Sequence, residues 1–118
     1  MNRTDDLVDA WLPLPDIAER SGLGISKVRR FVEERAIIGV RRTERAIFQV
    51  PALFLDEAHL PLKHLKGTLI TLRDAGFDDE AAIAWLFTPD DSLPGRPIDL
   101  LRSGSKTEVR RRAQALAF

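Results

Sequence analysis

Two short amphipathic runs joined by Ser21-Gly22-Leu23-Gly24 constrain this chain more than any other feature of its sequence. From Asp16 the apolar residues Ile17 and Ala18 begin the first run, and Ser21-Gly22 ends it, which predicts a short helix. Beyond Leu23-Gly24, Ile25, Val28, Phe31 and Val32 recur at helical spacing with Lys27, Arg29, Arg30, Glu33 and Glu34 between them, which predicts a second. Ala18 falls where two such helices cross, and a larger side chain would push them apart. Gly22 supplies a residue that can take the positive φ a tight turn needs. Val28 and Phe31 then point inward. This is the spacing of a helix-turn-helix, in which the first helix braces the second and leaves its N-terminal outer face free for a DNA major groove.

That outer face is Ser26, Lys27, Arg29 and Arg30. Arginine and lysine pair with guanine O6 and N7 and with phosphate, so residue type and position agree. On an amphipathic helix such charges are also what an ordinary solvated face carries. The segment that follows favours the functional reading. Ile37, Ile38 and Val40, then Ala46, Ile47, Phe48 and Val50, are strand-like around a polar stretch, which predicts a two-stranded ribbon turning at Thr43 and Glu44. Arg41, Arg42 and Arg45 cluster at its tip, where a wing would touch flanking phosphates. The competing reading is a protein-interaction adaptor with a purely structural winged helix. It calls for acidic or apolar residues on the outer face of 25–34, and the sequence has basic ones.

The expected fold is mainly α: a tail over residues 1–13, a winged helix-turn-helix with a short two-stranded wing over 14–60, and a small all-helical C-terminal module over 61–118. Pro51 stops the ribbon, with room for one turn before Leu55. Leu65, Leu69 and Leu72 stand at i, i+4 and i+7, and Ala75-Gly76-Phe77 has the form of a glycine C-cap followed by an apolar residue. Asp78 or Asp79 caps a further helix with Ile83, Leu86 and Phe87 inward. Thr88 to Pro97, with three prolines and a glycine, is a loop. Ser105 and Glu108 make a capping-box pattern that opens a terminal helix with Val109, Ala113 and Leu116 inward.

The formal net charge of zero hides a segregated distribution. Residues 20–45 hold eight basic against three acidic residues and residues 96–118 hold six against two, while 1–19 and 46–95 are acidic. Screening beyond about 8 Å at physiological salt makes the local blocks, not the total, what a docked polyanion meets. Cysteine is absent, which excludes disulfides, thiolate metal sites and cysteine nucleophiles. With no leader pattern and no run of membrane-spanning length, a cytoplasmic protein is expected. No catalytic constellation, cofactor or metal is expected either. His59 and His64 do not share a helix face, Gly104-Ser105-Lys106-Thr107 lacks the order of a P-loop, and Asp78, Asp79 and Glu80 are what a helix dipole favours at its start.

Four stretches resemble a known family: Gly22-Leu23-Gly24-Ile25-Ser26-Lys27-Val28-Arg29-Arg30, Gly39-Val40-Arg41-Arg42, Trp85-Leu86-Phe87-Thr88-Pro89-Asp90 and Arg110-Arg111-Arg112-Ala113-Gln114-Ala115. The family is an actinobacterial one of winged-helix DNA-binding proteins, known in mycobacteria as a Ser/Thr protein kinase substrate. The similarity covers nearly the whole chain from Leu14. It implies a regulator that binds double-stranded DNA, with Lys27, Arg29, Arg30 and the wing arginines facing the duplex and a Ser/Thr protein kinase as a partner. The long N-terminal tail carrying the family's phosphoacceptor threonine has no counterpart here, and Thr4 is the only threonine before the fold. The stretch from Ala82 to Leu86, Thr88-Pro89 and Leu93 to Leu101 also resembles the toxin-binding domain of some antitoxins. That resemblance implies a protein partner for the C-terminal module.

Overall fold

The computed structural model describes residues 6–116. Helix α1 (Leu14–Ser21) starts with a proline in its first turn, which has no N–H to leave unpaired, and carries Asp16 and Arg20 at the ends that suit its dipole. It stops at Gly22, whose φ of 76° is left-handed and whose N–H donates to the Ala18 carbonyl. Helix α2 (Ile25–Glu33) begins at once from an extended Gly24. Ile17 and Val28, both fully buried, pack the two helices together.

Three strands complete the winged half. Strands β2 (Val40–Arg42) and β3 (Ile47–Pro51) form the antiparallel hairpin, with Arg42 opposite Ile47 and Val40 opposite Gln49. Strand β1 (Trp11–Pro13) lies on the other edge of β3, pairing Trp11 with Pro51 and Pro13 with Gln49, so the order is β1-β3-β2. Sequence reading assigned residues 1–13 to a tail and found only the hairpin. A strand of three residues is too short to show alternation, and its Pro13, with Pro15 just beyond, reads as a breaker, yet Val8 and Leu12 are buried. Ile37 and Ile38, expected in the ribbon, are buried in the bend that leads to it. Gly39 sits against β3, where a Cβ would come within 2.2 Å of the Gln49 carbonyl oxygen.

A 3-10 turn (Ala52–Phe54) leads to four helices: α3 (Leu65–Asp74), α4 (Asp79–Phe87), α5 (Pro97–Arg102) and α6 (Lys106–Ala115). Helix α3 ends as its sequence predicts. Gly76, at φ 95°, donates to Arg73 and Phe77 donates to Leu72, the paired bonds of a Schellman motif. The Asp78 carboxylate accepts from the Ala81 N–H and caps α4. At α6 the expected capping box does not close, because Ser105 sits at the N-cap without a side-chain bond, at φ −88° and ψ 51°. Helix α5, only six residues long, was not anticipated after the proline-rich loop.

The helical half packs directly on the winged half. Phe54 and Phe87 meet with ring centroids 5.7 Å apart, and the buried cluster runs continuously from Val8 to Ala113. Arg102 donates to the carbonyls of Leu53, at 2.8 Å, and Leu55. Arg35, just past α2, pairs with Asp79 of α4 at 2.8 Å. Arg96 pairs with Asp99 and reaches back to Asp9 ahead of β1.

Candidate nucleic-acid interface

Because α1 covers one side of α2, the residues of α2 divide cleanly. Val28 is buried and Phe31 half-buried against the core, while Ser26, Lys27, Arg29 and Arg30 are exposed. The link before the helix is held by local bonds: Ser21 Oγ donates to the Ala18 carbonyl and accepts from the Leu23 N–H. At its far end α2 stops in another Schellman arrangement, with Ala36 donating to Phe31 and Arg35 to Val32. The residue in the left-handed position there is Arg35, at φ 59°, where glycine is usual.

The wing presents Arg41 and Arg45 to solvent. Its tip is fastened by bonds of its own. Ala46 donates to the Thr43 carbonyl, Arg45 N–H donates to Thr43 Oγ1, and one guanidinium nitrogen of Arg41 donates to the Ala46 carbonyl. Thr43 and Ala46 both take positive φ, at 70° and 55°, to close the turn.

Arg42 departs from the expected cluster at the tip. Neighbouring side chains on a strand point to opposite faces, so Arg41 and Arg42 cannot share one. Arg42 is half-buried, and its guanidinium lies over the ring of Trp11, 4.4 Å from the centroid. Sequence reasoning missed Trp11 and the exposed Ile47 at the start of β3. Ile47 had a strand signal but no sign of its exposure, and nothing local signals that Trp11 meets Arg42.

Among the described residues, no ion pair engages Lys27, Arg29, Arg30, Arg41 or Arg45. Arg35, Arg96 and Arg112, by contrast, pair with carboxylates, and Arg102 is spent on backbone carbonyls. No group of three or more His, Asp or Glu among the described residues is placed to hold a metal, and no helix there is long and apolar enough to cross a membrane. Thr4 lies outside the described residues.

A basic helix braced by a partner helix through buried Ile17 and Val28, and followed by a strand-paired basic wing, defines a winged helix-turn-helix protein. Residues 2–55 match the family model described as "DNA-binding protein Rv2175c, wHTH domain", and residues 62–117 match "Rv2175c C-terminal domain of unknown function". This chain belongs to the Rv2175c family. It is 36% identical to the DNA-binding protein Rv2175c of Mycobacterium tuberculosis (strain ATCC 25618 / H37Rv), over 97% of this chain and 87% of that protein. The NMR structure of Rv2175c superposes with a TM-score of 0.81 at 35% identity, over 92% of this chain and 82% of that one. The region resembling an antitoxin's toxin-binding domain falls within the match to the domain of unknown function.

Proposed function

We propose that this chain binds double-stranded DNA in a sequence-specific manner and acts as a cytoplasmic transcriptional regulator without catalytic activity. In this reading the N-terminal part of α2 enters the major groove, Ser26, Lys27, Arg29 and Arg30 meet base edges and adjacent phosphates, and the wing lies along the backbone. Arg41 and Arg45 make the wing's phosphate contacts, and Arg42 sets the wing's posture from its seat on Trp11. The observation that carries the reading is the exposed cationic face of α2, where Lys27, Arg29 and Arg30 form no ion pair among the described residues, above a fully buried Val28. The exposed Arg41 and Arg45 of the wing add cations beyond those of a merely solvated helix face. The name of the mycobacterial relative supports the same reading.

The test is a fluorescence-anisotropy titration of the full chain against a duplex enriched from a random pool and against an unrelated duplex. The expected result is tighter binding to the enriched duplex and, for both, affinity that falls steeply as salt rises, because each phosphate contact releases counterions. Failure of the pool to enrich, with equal affinity for every duplex, removes sequence specificity. Absence of binding at low salt removes the reading altogether.

A further inference from the structure

The winged half does not account for the cations gathered where α3 and α6 begin. Lys63, His64 and Lys66 stand at the start of α3, and Lys106 and Arg110 lie on the first turns of α6, which packs beside α3 through Leu65, Leu69, Val109 and Ala113. All five are exposed. Lys63, His64 and Lys106 line one concavity of about 420 Å³, with Arg102 on its wall and Pro61, Leu62 and Leu101 among its apolar lining. Arg110 crosses α3 where there is no side chain to obstruct it: its Nη2 lies 2.8 Å from where a Cβ on Gly67 would be.

Among the described residues no carboxylate forms an ion pair with Lys63, Lys66, Lys106 or Arg110, and Glu108 of α6 lines a different concavity, with Arg111 and Arg112. The one carboxylate lining the concavity, Asp56, accepts from the N–H groups of Ala58 and Leu60 and so organises its own loop. The remaining acidic residues of α3 and α4 gather at the opposite end of α3: Asp74 closes that helix, and Asp78, Asp79 and Glu80 open α4. His64 feels the excess. Its pKa is held below the usual histidine value, first by loss of surrounding water and then by the charges of Lys106, Lys63 and Arg110. Helix stability does not explain the arrangement, since cations at the start of a helix oppose its dipole.

We propose that this edge of the helical module is a second contact surface for the phosphate backbone of duplex DNA, used together with the winged helix. The inference rests on the reading of the chain as a duplex binder. Cations spread over two adjacent helices suit a line of successive phosphates, and they read no sequence.

The test measures the slope of log affinity against log salt for the full chain on a duplex of about 30 base pairs. Each phosphate contact contributes about 0.9 to that slope on duplex DNA. The variants are Lys63→Gln with Lys106→Gln, the same pair with Arg110→Gln, Arg73→Gln at the far end of α3 as a control, and Arg29→Ala with Arg30→Ala. All the replaced side chains are exposed, and the double variant leaves Arg110 in place over Gly67.

The proposal expects a slope shallower by roughly two in the double variant, shallower again in the triple, and unchanged by Arg73→Gln. A wild-type slope in the triple variant overturns it, as does an equal effect per charge from Arg73→Gln. If Arg29→Ala with Arg30→Ala weakens binding while the triple variant does not, this inference falls and the winged-helix reading stands. The reverse pattern sinks the winged-helix reading and keeps the second surface. Inorganic phosphate that shifts the amide resonances of residues 63–67 and 106–110, with an unaltered duplex slope, assigns the edge to a free anion and also overturns the proposal.

Discussion

The guanidinium of Arg42 rests 4.4 Å above the ring centroid of Trp11, so one wing arginine is fixed by the strand that precedes the helix-turn-helix. Strand β1 pairs with β3, and β3 pairs with β2, so the contact spans the sheet from one edge to the other. Arg41, one residue away, faces the solvent. Two adjacent arginines therefore differ in what they do. Arg42→Ala should lower stability by about 0.5 to 1 kcal/mol, the range of a cation resting on an aromatic face near the surface. Arg41→Ala should leave stability within about 0.5 kcal/mol and weaken binding about equally on related and unrelated duplexes. Urea denaturation of both variants beside duplex titration checks this, and equal stability of the two would show that the stack contributes nothing.

Arg35 joins two constraints at one residue. Its backbone takes the left-handed conformation that ends α2, and its side chain pairs with Asp79 in the first turn of α4. Both partners are partly exposed, so the pair itself contributes at most about 1 kcal/mol. Arg35→Ala loses the pair and keeps the strain, whereas Arg35→Gly loses the pair and relieves it. The glycine variant should therefore be the more stable of the two by about 1 kcal/mol, the reverse of their order within a helix. Thermal or urea unfolding gives the order directly, and an alanine variant as stable as the glycine one would remove the strain argument.

Legibility in the sequence followed how local each feature is. The α1–α2 turn, the glycine end of α3 and the cap on α4 are each decided by residues within a few positions, and were legible from Gly22, Gly76 and the Asp78-Asp79 pair, of which Asp78 is the cap. Strand β1 was not, because three residues ending in proline carry no period, and its partner β3 lies beyond both helices. Ser105 shows the opposite failure: the residue pattern of a capping box is present, but the backbone there does not bring the hydroxyl to an N–H. The exposed face of α2 was legible from helical periodicity alone. The seat of Arg42 depends on the whole sheet and was not.

Gly39 tests the close approach of the chain to β3. An added Cβ meets main chain, the Gln49 carbonyl at 2.2 Å, with the Phe48 ring 3.0 Å away, so no side-chain rotation relieves the clash. Gly39→Ala should destabilise by roughly 1 to 3 kcal/mol, the usual cost of overpacking. An unfolding midpoint equal to wild type would mean that the bend before β2 moves freely.

His64 gives a pH dependence with a definite sign. Its folded pKa lies below the ordinary value of 6.5, through desolvation first and then Lys106, Lys63 and Arg110. The fold thus favours the neutral ring. That contribution is complete above the unfolded pKa and is lost as pH falls through the folded one. Stability should decline between about pH 7 and pH 5, and His64→Asn should flatten part of the decline, since asparagine tolerates the left-handed φ of 69° at this position. Urea midpoints over that range decide it. A variant with the wild-type pH profile would exonerate His64.

The sharpest separation of roles lies within α2. Val28 is fully buried against the bracing helix, while Arg29 and Arg30, the next two residues, are exposed and unpaired among the described residues. Val28→Ala removes the equivalent of two buried methylene groups, about 1.6 kcal/mol of transfer free energy, and leaves a cavity that raises the cost further. It should lower the unfolding midpoint and reduce DNA binding only as far as the folded fraction falls. Arg29→Ala and Arg30→Ala should do the reverse. Exposed substitutions move stability by no more than about 0.5 kcal/mol, whereas a lost bidentate contact to a base costs about 1 to 3 kcal/mol of discrimination, roughly a five- to 150-fold change in relative affinity. Melting curves and paired titrations on an enriched and an unrelated duplex keep the two effects apart. If both arginine variants, singly and combined, stay folded and bind with wild-type affinity and selectivity, α2 is not the reading head, and the adaptor reading becomes the better account of this fold.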